Sequence, residues 1–80
     1  MITELYRGDG STEPIDFGAS QAWQLFDTAQ LATGTAPPDL YIVVERRWMA
    51  ASQELHVRFQ RWNGTPQNRE QILRGYGYLD

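Results

Sequence analysis

The chain contains no cysteine and no lysine. Without cysteine there is no disulfide and no thiolate metal site, which excludes the stapled secreted scaffolds and fits a reducing compartment. A cytoplasmic location is therefore the expectation. Without lysine, all seven basic side chains are arginine. Coding bias accounts for such usage on its own; so does a need for the planar, bidentate and stacked contacts that an ammonium group cannot make. Long apolar runs are missing too. The longest, "LYIVV" at 40–44, falls far short of the roughly 20 residues of a membrane span. The opening "MITELYRGDG" has neither the basic nor the apolar region of a signal peptide. A soluble protein with no membrane partner is expected. There is no internal repeat, low-complexity tract or linker, so the 80 residues read as a single small α+β domain.

What charge there is lies unevenly. Residues 1–39 set one arginine against six carboxylates, a net of −5, and residues 40–80 set six arginines against four, a net of +2. The overall −3 argues against general binding to duplex DNA, which rests on neutralising phosphates.

Alternation and turn residues outline the elements. "ITELYR" predicts a short strand, "GDGST" a turn, and "EPIDF" a second strand with Pro14 on an edge. In "SQAWQLFDTAQLA", from Ser20 to Ala32, the residues Ala22, Trp23, Phe26, Ala29 and Gln30 share a helical stripe. This predicts the main helix, capped by Ser20 or Gly18 and stopped by Gly34. "LYIVVERRW" and "ELHVRFQRW" predict an antiparallel hairpin closed by a four-residue loop over Ala50 to Gln53. The favoured register sets Val44 opposite Phe59, Glu45 opposite Arg58, Arg47 opposite His56 and Tyr41 opposite Trp62. The tail "TPQNREQILRGYGYLD" reads two ways. Thr65 and Pro66 look like a helix start and Gly75 like its stop. Only Ile72 and Leu73 are apolar across that span, which tips the balance to a last strand.

The expected fold is a two-layer α+β arrangement, one main helix packed on a mostly antiparallel sheet of three to five strands. Leu40, Ile42, Val44, Leu55, Val57 and Phe59 would pack under that helix with Trp23, Leu25 and Phe26. Arg46 and Arg61 would fall on the same side, near sheet ends where they can reach water. The other side would lie open and carry Tyr41, Val43, Glu45, Arg47, His56, Arg58, Gln60 and Trp62. Tyrosine, tryptophan and arginine are enriched at interface hot spots. Tyr41, Arg47, His56, Arg58, Gln60 and Trp62 are therefore the candidate binding residues, set against the plainer reading of an ordinary solvated sheet face.

No catalytic or metal motif stands out. His56 is the only histidine, with no further ligands at metal-binding spacing. No serine sits in a nucleophile elbow. "RGD" at Arg7 to Asp9 and "DFG" at Asp16 to Gly18 are short matches without their contexts. No catalytic residue, metal or cofactor is expected. The leading expectation is a non-enzymatic protein-binding module, an inhibitor or adaptor, using the arginine and aromatic face and the acidic first half. Small acidic inhibitors from phages and mobile elements share this profile. The alternatives are a single-stranded nucleic-acid binder through the same face, disfavoured by net charge, and a homodimer with a structural role.

Overall fold

The computed structural model describes residues 1–7, 9–17, 22–32 and 34–79. It is an α+β fold, mostly sheet, with one C-terminal helix. Five strands, β1 (Ile2–Tyr6), β2 (Thr12–Pro14), β3 (Thr28–Leu31), β4 (Asp39–Met49) and β5 (Glu54–Arg61), precede helix α1 (Pro66–Gly75). The sheet order is β2-β1-β5-β4-β3. It is mixed: β1 runs parallel to β5, and the other neighbours are antiparallel.

The first hairpin forms, with Pro14 on an edge as expected, but its second strand is Thr12–Pro14 and not the expected 13–17. Asp9 turns the chain by accepting hydrogen bonds from the Ser11 backbone and hydroxyl, and those two bonds, the hydroxyl's first, hold its carboxyl below the usual range. Pro14 sits in β2, an outer strand of the sheet, where a missing N–H does least harm. Gly8, between Arg7 and Asp9, lies outside the described residues.

The helix expected over Ser20–Ala32 is not formed. Ser20, its Gly18 alternative and Thr33 lie outside the described residues, but 22–32 are clear. The Asp27 carboxylate accepts the Gln24 N–H at 2.9 Å, closing a turn. Phe26 takes a positive φ of 72°, which no helix allows. Thr28–Leu31 then pairs with Asp39–Ile42 as strand β3. The physical reason lies in where the rings go. Trp23 packs with Phe17, Val43, Val57 and Phe59 on one side of the sheet. The Phe26 ring meets Tyr78 and Arg69, next to the element covering the other side. A helix would have kept both rings on one stripe.

The tail is the helix. Thr65 caps it, its hydroxyl oxygen accepting the Asn68 N–H, with Pro66 in the first turn. Asn68 returns a bond to the Asn63 N–H, and Asn63 in turn accepts from the Thr65 N–H and hydroxyl. The stop is Gly77, two residues later than expected, at φ 82°. The Gly77 N–H donates to the Arg74 carbonyl and the Tyr78 N–H to the Leu73 carbonyl, the two bonds of a Schellman closure. Two buried residues suffice because Tyr76 and Trp62 widen the apolar contact around Ile72.

The central hairpin has the expected four-residue loop, with Gln53 at φ 55°. Its outer half keeps the predicted register, Glu45 opposite Arg58 and Arg47 opposite His56. Its inner half does not: Val43, not Val44, faces Phe59, and Tyr41 faces Arg61, not Trp62. A β-bulge between Val43 and Glu45 absorbs the difference, so Val44 and Glu45 follow one another onto the same side.

The bulge splits the core. Tyr41, Val43, Val57, Phe59 and Trp23 are buried on the side roofed by Ile15, Phe17 and Trp23. Ile42, Val44 and Ile72 are buried on the other, under α1. Every residue of "YIVV" at 41–44 is buried, as in a strand covered on both faces. Phe59, Ile42, Val43, Val44 and Val57 are almost fully buried, each contributing roughly 1.5–3 kcal/mol of transfer energy before entropy is subtracted.

Candidate binding surface

The six candidate residues do not share one open face. Tyr41 is 5% exposed and lies on the Trp23 side, packed against Phe17. Its neighbour in the expected pairing, Trp62, is half-buried on the helix side against Ile42, Val44 and Ile72. The Trp62 Nε1–H finds no acceptor among the described residues. Gln60 is held by the Tyr76 hydroxyl, which donates to its Oε1 at 2.6 Å. The helix thus roofs part of the side expected to lie bare.

Arg58, His56 and Arg47 do share that side, beyond the helix. His56 Nδ1 lies 2.8 Å from Glu4 Oε1. Arg58 donates through Nε to the other Glu4 oxygen at 3.4 Å, and through Nη1 to Glu45 at 3.3 Å. The register brings them together: Glu4 pairs with Arg58 across the parallel β1–β5 contact, and Glu45 with Arg58 across the hairpin. The bulge is essential here, because it turns Glu45 to the side of Arg58. These side chains are largely sheltered from water and engage one another. Arg47 is exposed and makes no ion pair among the described residues.

The acids of the first half are also occupied. Glu4 serves the network above, Glu13 pairs with Arg7, and Asp39 with Arg61. Arg61 and Arg46 lie on the Trp23 side near its ends, and both are exposed as expected.

Sequence reasoning missed Trp48. It is 60% exposed, the most open large apolar side chain among the described residues. It pairs with Leu55 on the same side as Val57 and Phe59, so its parity is that of the core. It is bare because, among the described residues, the rings of Phe17 and Trp23 roof Tyr41, Val43, Val57 and Phe59 and stop short of the hairpin end. The usable signal was its place, two residues before the hairpin loop. Arg46 shares its side and Arg47 the opposite one, so the end of the hairpin carries a projecting ring and one exposed arginine on one side and a second exposed arginine on the other.

Two hollows lie at the other end of the sheet. Where β1 and β5 finish side by side, Leu5, Tyr6, Arg7, Glu13, Gln60 and Arg61 line a cleft of about 430 Å³. Tyr6 and Gln60 also border a hollow of about 380 Å³ against Ile72 and Tyr76. Burial and the neighbouring Tyr6, Glu45 and Tyr78 push the Tyr76 hydroxyl up to about 12. Neither hollow is lined by His56. Among the described residues, no three His, Asp or Glu side chains gather as a metal ion would require. No described helix is long and apolar enough to cross a membrane.

In comparisons with known proteins, the chain matches no family model, no curated protein and no solved structure.

Proposed function

We propose that this chain is a non-enzymatic protein-binding module, of the inhibitor or adaptor kind, docking through the outer half of the β4–β5 hairpin. The observation that carries the reading is Trp48, left 60% exposed, with Arg46 on its side of the sheet and Arg47 on the other. Tryptophan and arginine dominate interface hot spots because they combine large apolar area with fixed donor geometry. The other candidates are engaged within the fold: Tyr41 and Trp62 in packing, Gln60 with Tyr76, His56 and Arg58 with Glu4. Arg47 is the one candidate residue that stays on the binding surface; Trp48 and Arg46 join it.

The test places a photo-crosslinking amino acid at position 48 and, as control, at Thr35 in the exposed loop. Extract from the source cells should give a discrete protein adduct at position 48 alone. Trp48→Ala should then weaken that partner's binding at least tenfold, about 1.4 kcal/mol, with the melting temperature unchanged. The same adducts at both positions, or none, would remove the proposal. A bare ring with an arginine on the same strand face is also what stacks an unpaired base. Retardation of single-stranded RNA or DNA by the wild type, lost in Trp48→Ala, would select that reading instead.

A further inference from the structure

The strand that carries Trp48 has a second property. β4 runs from Asp39 to Met49, but β3 covers only Asp39–Ile42. Among the described residues, Val43 is the last one bonded on that side through its backbone, donating to the Asp27 carbonyl and accepting from the Phe26 N–H. The Val44 carbonyl is taken by the Tyr78 hydroxyl at 2.8 Å. From Glu45 to Met49, β4 has β5 on one side and no described strand on the other. Five residues of extended backbone offer an edge roughly 17 Å long.

We infer that this edge, Glu45–Met49, takes an extended acidic segment of another protein as a sixth strand. The inference rests on the proposed binding role and specifies its partner class. Charge selects the occupant. Glu45 is already paired with Arg58, so the charges the edge presents are Arg47 and Arg46, the latter exposed and held only by a long 3.5 Å bond from its Nη1 to the Gln24 side chain. These point to opposite sides of the sheet, and consecutive acids on an incoming strand would meet both, one on each side. Trp48, next along and on the side of Arg46, supplies an apolar surface for a neighbouring side chain. A second copy of this chain fits poorly. Antiparallel self-pairing centred on residue 45, 46 or 47 sets Glu45 against Glu45, Arg46 against Arg46 or Arg47 against Arg47, and like charges directly opposite are destabilising. Paired arginines also guard an edge against indiscriminate pairing, which makes the same feature a filter for acidic strands.

The probe is a capped seven-residue peptide, TVVEEVT, and its charge-reversed counterpart TVVKKVT, titrated into the 15N-labelled protein. The acidic peptide at about 1 mM, the affinity range of a weak single-strand contact, should shift the amide resonances of Glu45–Met49. The basic peptide should not. In the double variant Arg46→Glu with Arg47→Glu the preference should reverse. Absence of shifts, shifts centred elsewhere, or equal response to both peptides would overturn strand addition. So would shifts of the same amides that grow with protein concentration alone, which assign the edge to a second copy. If strand addition fails while the position-48 adduct forms, the binding surface stands and only its mode falls. If both fail, both are wrong.

Discussion

Tyr76 illustrates how one side chain links the helix to the sheet. Its ring meets Tyr6 edge-on and stacks on Tyr78, and its hydroxyl donates to Gln60. That bond needs the proton, and the surroundings oppose the phenolate: burial first, then Tyr6, Glu45 and Tyr78, with Arg58 alone favouring it. The hydroxyl therefore titrates near 10 in the unfolded chain and near 12 in the fold. Between those values the unfolded state holds fewer protons, so stability is intact below pH 10 and falls as pH rises toward 12. Urea unfolding across that interval should show the fall, and Tyr76→Phe should flatten it. Single side chains also explain what the sequence concealed at the candidate site. Trp62 and Tyr41 have interface chemistry, yet the same area that suits a partner suits a core, and composition does not distinguish them.

At the level of elements, the helix signals were read the wrong way round. Helix α1 was marked by Thr65, Pro66 and a following glycine, and it formed with only Ile72 and Leu73 buried. The thirteen-residue stripe from Ser20 had the period together with a serine cap and a glycine stop, and its described part formed a turn and an edge strand. The apolar residues at Trp23 and Phe26 satisfy a helical template, but "TAQL" at 28–31 alternates equally well, and its Ala29 and Leu31 are the half-buried pair. The bulge at Val44 has no glycine or proline to announce it, so the hairpin register was legible only from Glu45 outward. Since so few buried residues hold α1, its cap should matter. Thr65→Ala removes the oxygen that accepts the Asn68 N–H and the hydroxyl held by Asn63. A loss of about 1 kcal/mol is expected, read from the denaturation midpoint with an unchanged slope. An unchanged midpoint would mean that Pro66 and Asn68 define the helix start without it.

For the molecule as a whole, the α+β class was legible, and the order of the sheet was not. Three antiparallel pairs join neighbouring segments; β1–β2 and β4–β5 were readable, and β3–β4 was hidden by the helical stripe. The parallel contact of Ile2–Leu5 with His56–Phe59 joins residues 54 positions apart, and no local pattern encodes it. That contact places β1 and β5 in the interior of the sheet and assembles the Glu4, His56 and Arg58 group across it. It also dominates the search for the native state, because the loop must close before the contact gains anything. Refolding should therefore take milliseconds to seconds by stopped-flow fluorescence of the tryptophans. A main phase completed within microseconds would show that the β4–β5 hairpin and α1 report folding without the first strand.

The same adjacency has a consequence during synthesis. β1 and β2 emerge early and can pair at once, but the inner margin of β1 belongs beside a strand the ribosome has not yet made. For several seconds of elongation the newborn hairpin holds half its backbone groups and the flank of Leu5 ready for a mate that does not exist. Pro14 shields only the outer margin. Any hazard of misassembly in this protein is greatest then, before residue 59 has left the exit tunnel, and it ends when the last strand arrives to fill the gap.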